Sequence, residues 1–213
     1  MFVLTEAIFF PPVTMADADG MLAVGGDLST ERLLLAYKSG IFPWYNEDEP
    51  ICWWCPNPRF VLLPKDLRVT KSMQTVLNNG SFKFTINKAF DKVITHCKTI
   101  NRKNQEGTWI QPEVIEAYAK LHRLGFAISA EAWKNGELVG GLYGVLLGNI
   151  FFGESMFSKE SNASKFAFVN FVKHLQKQNI KLIDCQIYTA HLQSLGAKMI
   201  DRTLFCEILA KEI

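Results

Sequence analysis

The residues in this chain that could do chemistry gather in its C-terminal half. The apolar pair Leu182-Ile183 runs directly into Asp184-Cys185-Gln186. A short apolar run reads as a buried strand. A carboxylate at its end needs a partner, because burying a bare charge is costly. Thirty residues before Asp184, the run Phe151-Phe152-Gly153-Glu154-Ser155-Met156-Phe157-Ser158 sets a second acid, Glu154, among aromatic residues. An acid and an amide at such a strand end can touch each other or act together on one substrate. Strand alternation places Asp184 and Gln186 on one face, about 7 Å apart, and turns Cys185 to the other. On spacing alone the pair serves either that chemistry or a structural Asp–Gln hydrogen bond.

Other motifs carry less. Cys52-Trp53-Trp54-Cys55 has C-x-x-C spacing, but prolines follow where a redox site needs a helix N-terminus. No second such pair exists for structural zinc, so these read as core thiols. His96, His122, His174 and His191 show no metal-ligand spacing. His191 follows Gln186 closely enough for a Cys185–His191 nucleophile pair, although alternation assigns Cys185 to the core. Gly25-Gly26-Asp27 and Gly140-Gly141-Leu142-Tyr143-Gly144 match no phosphate-loop or dinucleotide signature. The second lies in a strand, where glycine lets a backbone or a ligand come close.

The elements that must position these groups form an α+β pattern. Residues 1–30 read as irregular, and Ser29 caps a helix that Gly40 ends. Short strands follow near 51–55 and 60–63. Helices are expected at 71–77, 88–99 and 112–124, with a strand at 82–86 and a polar loop at 101–107. Strands at 126–133, 138–147 and 150–156 follow, the first two joined by a tight Asn135-Gly136 turn. A helix at 162–176, a strand at 182–185 and a short helix at 190–195 complete the order. Two strands, 198–200 and 204–208, would close the sheet.

The 213 residues are 48% hydrophobic and 12% aromatic, enough for a large core and an apolar pocket. No apolar run reaches the roughly 18–20 residues of a membrane span. The start lacks the basic region of a signal peptide. An odd number of cysteines, five, fits a reducing compartment, so the expectation is a cytoplasmic protein, with a monomer as the default oligomeric state. Charge is uneven: residues 1–50 hold eight acids and two bases, and residues 59–103 hold ten bases and two acids. The basic segment reads either as a polyanion site or as an ordinary solvated face.

The order of strands and helix from Phe126 resembles the acetyltransferase-type fold, but Ser158–Lys165 lacks the glycines of a coenzyme A loop. The whole chain resembles the leucyl/phenylalanyl-tRNA–protein transferases. The resemblance runs through Gly25-Gly26-Asp27-Leu28-Ser29, Gly40-Ile41-Phe42-Pro43-Trp44, and Trp53-Trp54 with Pro56-Asn57-Pro58-Arg59. It continues in Glu106-Gly107-Thr108-Trp109-Ile110, Glu137-Leu138-Val139-Gly140-Gly141 and Gly153–Ser158. It ends in Asn162-Ala163-Ser164-Lys165, Asp184-Cys185-Gln186, and His191 with Ser194-Leu195-Gly196-Ala197.

That resemblance implies transfer of Leu or Phe, with Met as a further donor, from aminoacyl-tRNA to proteins beginning with Arg or Lys. The transfer would mark them for N-end rule degradation. It implies a small N-terminal domain, residues 1–60, packed on an acetyltransferase-like (GNAT-type) domain, residues 61–213, and no metal or cofactor. Gln186 would contact the attacking amine, Asp184 would orient and polarise Gln186, and Glu154 would bind the cationic N-terminal residue or its amine. Phe151, Phe168, Phe171, Ile183 and Leu142 would wall an apolar donor pocket, with Leu142 replacing a frequent Met. Trp44 and Trp109 would support the terminal adenosine. Arg59, Lys65, Arg68, Lys71, Lys83, Lys159 and Lys165 would hold the tRNA through its phosphates. Two readings stand against this one: a coenzyme A-dependent N-acyltransferase, and a tRNA-binding module without catalysis.

Overall fold

Two sheets organise the protein, whose computed structural model describes residues 2–100 and 108–213. The expected loop at 101–107, with Arg102, Lys103 and Glu106-Gly107, lies outside the described residues. The first part holds β1 (Phe2–Leu4), β2 (Met21–Gly25), α1 (Thr30–Lys38), β3 (Phe42–Pro43) and β4 (Cys52–Trp54). Next come β5 (Arg59–Leu62), α2 (Lys71–Asn78), β6 (Lys83–Ile86), α3 (Phe90–Thr99) and α4 (Pro112–Arg123). The chain continues through β7 (Ala127–Lys134), β8 (Glu137–Leu147), β9 (Ile150–Ser158), α5 (Ala163–Lys177) and β10 (Leu182–Gln186). It finishes with α6 (Ala190–Ser194), β11 (Lys198–Ile200) and α7 (Arg202–Glu212). The small sheet has the order β1-β2-β4-β3 and the large one β11-β5-β10-β9-β8-β7-β6. The α+β class and the order β7-β8-β9-α5-β10 are as expected.

Local chemistry explains most of the element ends. The Ser29 hydroxyl accepts the Arg32 N–H at 3.3 Å to start α1. Asn135 and Gly136, at φ 53° and 82°, form the turn between β7 and β8. Two expectations fail. Residues 1–30 are not wholly irregular, since β1 and β2 pair in parallel. Strands of three and five residues carry little local signature and exist through their pairing. The second correction is at 204–208, which lies in the helix α7 and not in a closing strand. Asp201 caps that helix by accepting the Thr203 N–H at 2.7 Å, and Phe205 and Leu209, one turn apart, are its buried face.

Residue 60 lies inside β5, and β5 sits between β10 and β11 of the large sheet. One apolar cluster joins Leu22 and Trp53 of the small sheet to Tyr143 and Phe152 of the large one. A second cluster packs α5 on the sheet through Phe151, Phe168, Phe171 and Leu175. The β8 glycines serve this packing. A Cβ on Gly140 would lie 2.7 Å from the Ala163 backbone, and one on Gly144 would lie 2.1 Å from the Phe152 carbonyl oxygen. The close approach these glycines allow is therefore to neighbouring backbone.

The feature that makes a site is an opening between two neighbouring strands. β9 and β10 run parallel and pair only over Leu182–Asp184 against Ile150–Phe152. Beyond that point β9 continues to Ser158 without β10. The β10–β5 register shifts between Asp184 and Gln186, and Gln186 takes a left-handed φ of 61°. That conformation is uncommon for a residue with a side chain.

Candidate functional site

The opening leads into a cavity of about 600 Å³. Its apolar walls include Leu142, Phe151, Phe168 and Ile183, together with Met156 and Phe42. Trp44 and Trp109 also line it, Trp44 being 41% exposed and Trp109 7%. Phe171 departs from the expectation. It is not on the wall but behind it, packed edge-on against Phe151 with ring centroids 4.8 Å apart. On α5 a residue three positions from Phe168 falls on nearly the same helix face, so the sequence could not order the two by depth.

The polar groups meet at one place on this wall. Glu154 on β9 and Gln186 on β10 both line the cavity, and Gln186 Nε2 donates to Glu154 Oε1 at 3.0 Å. Tyr37 on α1 donates to the same Oε1 at 2.8 Å. Tyr118 on α4 donates to Oε2 at 3.2 Å, and the two tyrosine hydroxyl oxygens lie in contact with each other. Burial pushes the Glu154 carboxyl up to about 8 from an ordinary 4.5. The Tyr37 hydrogen bond opposes that rise, nearby Asp184 adds to it, and Tyr118 and Arg59 oppose it. Burial and the neighbouring carboxylate hold both phenols well above their usual range.

Asp184 is fully buried and binds Gln186 through the backbone. Its Oδ1 accepts the Gln186 backbone N–H at 2.9 Å. The left-handed turn at Gln186 breaks the strand alternation that would have put both side chains on one face. Arg59 clamps the carboxylate with Nε on Oδ1 at 2.9 Å and Nη2 on Oδ2 at 2.6 Å. The guanidinium lies between the Phe42 and Phe205 rings, 4.7 Å from each centroid. Burial works against the Arg59 charge, and Asp184 more than restores it.

This placement corrects the expectation for Arg59. With no exposed surface, it is not available to a tRNA phosphate, and its partner is Asp184. Counting charge along the chain could not separate it from its neighbours. Lys65, Arg68, Lys71, Lys83 and Lys159 are exposed, and Lys165 is half-buried. Cys185 is half-buried, packs on the α5 cluster and borders the cavity. Burial, then Asp184, raises its thiol strongly, which disfavours the thiolate a nucleophile needs. His191 also borders the cavity, and burial and the Lys165 charge lower it. Cys52 and Cys55 are buried thiols, with Cys55 pushed up to about 11 by burial. Among the described residues, no group of three or more His, Cys, Asp or Glu is placed to hold a metal. No described helix is long and apolar enough to cross a membrane.

Comparison with known proteins decides the family. Residues 61–210 match the model of leucyl/phenylalanyl-tRNA protein transferase, and residues 26–57 match the model of its N-terminal domain. The chain belongs to the leucyl/phenylalanyl-tRNA–protein transferase family. Among its relatives, the transferase of Flavobacterium johnsoniae is 57% identical over 209 residues, covering 98% of this chain and 99% of the relative. That of Christiangramia forsetii is 54% identical over 211 residues, covering 98% and 100%. That of Syntrophobacter fumaroxidans is 53% identical over 213 residues, covering 100% and 91%. A solved GCN5-related N-acetyltransferase-like protein from Streptococcus suis is 11% identical, covers 76% of this chain and 60% of its own, and superposes with a TM-score of 0.41.

Within this transferase fold, sequence reasoning missed the two tyrosines. Tyr37 belongs to the apolar stripe of α1, and Tyr118 to that of α4. Each reads as one more core aromatic until the carboxylate between them is seen.

Proposed function

We propose that this protein transfers Leu or Phe, with Met as a further donor, from aminoacyl-tRNA to the α-amine of proteins that begin with Arg or Lys. The reading places it in the cytoplasm as a monomer that marks proteins for N-end rule degradation. Family membership supports the reaction class. The observation that carries the site is the hydrogen bond from Gln186 to Glu154 on the wall of an apolar cavity. The cavity suits a bulky apolar side chain, and the polar pair suits the amine that attacks beside it.

The donor ester is already activated, so the protein has mainly to bring amine and carbonyl together. The α-nitrogen bonds to the carbonyl carbon, the bond to the ribose oxygen breaks, and one N–H proton passes to that oxygen. Glu154 and the Gln186 amide oxygen would receive the amine. Asp184 would keep Gln186 in position through its backbone. Trp44 and Trp109 would border the terminal adenosine, as aromatic rings do for bases. Lys65, Arg68, Lys71, Lys83, Lys159 and Lys165 would meet tRNA phosphates.

The test uses purified protein, Leu-tRNA labelled on the amino acid, and a peptide beginning with Arg. Label in the peptide supports the reading. Bound tRNA with no transfer overturns it, and a peptide beginning with Ala should stay unlabelled.

A further inference from the structure

Tyr37 and Tyr118 reach Glu154 from two different helices, and neither is among the residues that border the cavity. Both side chains are fully buried and held by their neighbours. The Tyr37 ring tilts against Phe152 at 5.0 Å between centroids, and the Tyr118 ring stands edge-on to Tyr143 at 5.7 Å. Phenylalanine would fill the same volume without the cost of burying a hydroxyl. The two hydroxyl protons are instead spent on the two oxygens of one carboxyl group, with the hydroxyl oxygens in contact beside it.

We propose that Tyr37 and Tyr118 are positioning residues for the transfer: two fixed hydroxyl donors that hold the Glu154 carboxyl in place and set how readily it gives up its proton to receive the acceptor's amine. This rests on the reading of Glu154 as the partner of that amine.

The chemistry follows from hydrogen-bond direction. A hydroxyl that donates to a carboxylate favours the ionised form. Burial favours the neutral acid, and the Tyr37 bond, Asp184, the Tyr118 bond and Arg59 then adjust the balance to about 8. The remaining titratable groups around it are Tyr143 on β8 against Tyr118, Cys185 on β10, and His191 on α6. A free α-amine titrates near 7.7–8.0. Burial thus lifts the carboxyl from its ordinary range toward that in which an amine gives up its proton. With one hydroxyl removed, the carboxyl keeps its proton to higher pH and meets the ammonium as a neutral acid.

The experiment compares wild type with Tyr37→Phe and Tyr118→Phe. Transfer from Leu-tRNA to a peptide beginning with Arg is followed from pH 6 to 9.5. In parallel, carbon NMR titrates the Glu154 carboxyl in the free protein, its signal identified by its loss in Glu154→Gln. In each variant the rising limb of kcat/KM for the peptide should move up by about half to one pH unit, a roughly three- to tenfold loss at pH 7. The loss should fade at high pH, KM for Leu-tRNA should hold, and the carboxyl titration should move in the same direction. Equal loss at every pH, or an unmoved carboxyl titration in both folded variants, overturns the proposal. Wild type that transfers no Leu overturns the reading of the function instead, and the titration still decides whether the tyrosines govern the carboxyl.

Discussion

Asp184 grips Gln186 by its backbone, accepting the N–H at 2.9 Å, while the Gln186 side chain turns to Glu154 at 3.0 Å. The carboxylate thus acts at one remove from the cavity's chemistry. It stabilises a left-handed residue, at φ 61°, whose amide then stands beside Glu154. For an L-residue that conformation costs about 1–2 kcal/mol.

Two substitutions separate conformation from chemistry at this position. Gln186→Ala should lower kcat by at least about tenfold, a loss of positioning, and leave tRNA affinity within about twofold. Gln186→Gly should lose activity equally yet stay within about 1 kcal/mol of wild type in urea unfolding, because glycine adopts this φ freely. Equal loss of kcat and tRNA affinity would count against the placement of Gln186 at the amine.

Arg59→Met should destabilise the protein by about 3–5 kcal/mol, since it strands a buried carboxylate. Adding Asp184→Leu should restore more than half of that stability, because no charge then remains unpaired, while transfer stays absent. Denaturant midpoints with unchanged slopes would measure both effects. A single-variant loss below about 1 kcal/mol would show that Arg59 is not the carboxylate's main support.

Glu154 makes stability depend on pH. Its folded value of about 8 lies above its ordinary 4.5, so between these limits the folded protein keeps a proton that the unfolded chain has released. Stability therefore falls as pH rises through that window and levels off above it. Glu154→Gln should gain on wild type by on the order of 1–3 kcal/mol between pH 4.5 and 8.5, read by urea unfolding at several pH values. A difference that does not change with pH would contradict the shifted carboxyl.

Gly144→Ala should deform the cavity wall from behind. Its Cβ would lie 2.1 Å from the Phe152 carbonyl oxygen and 2.5 Å from the Phe151 ring. Overpacking of this kind costs about 1–3 kcal/mol, and displacement of Phe151 should raise KM for Phe-tRNA more than for the peptide. Unchanged thermal unfolding would place the β8–β9 contact elsewhere.

Lys65→Ala and Arg68→Ala should each weaken tRNA binding and reduce the slope of log affinity against log salt by about 1, as expected for one phosphate contact apiece. Binding measured at several salt concentrations distinguishes this from a general loss of structure, which would leave the slope unchanged.

Much of this architecture was legible because its signals are local. Asn135-Gly136, Pro112 and Ser29 announce a turn, a helix start and a cap without reference to anything distant. Asp184, Gln186 and Glu154 were legible as polar groups set against apolar runs. What escaped depends on contacts far along the chain. Arg59 looked like one cation of a basic segment and is the partner of Asp184. Phe205 looked like part of a strand and is the buried face of a helix stacked on that arginine. The left-handed turn at Gln186 is set by Asp184 and by the departure of β10 from its neighbour, neither of which alternation anticipates.

The Tyr37–Glu154 and Arg59–Asp184 bonds span 117 and 125 residues of chain. Closing such long loops is slow relative to forming helices and hairpins. The site should thus be among the last parts of the protein to assemble. After dilution from denaturant, helical signal should return before transfer activity does, and the interval between them would time the closing of these two bonds.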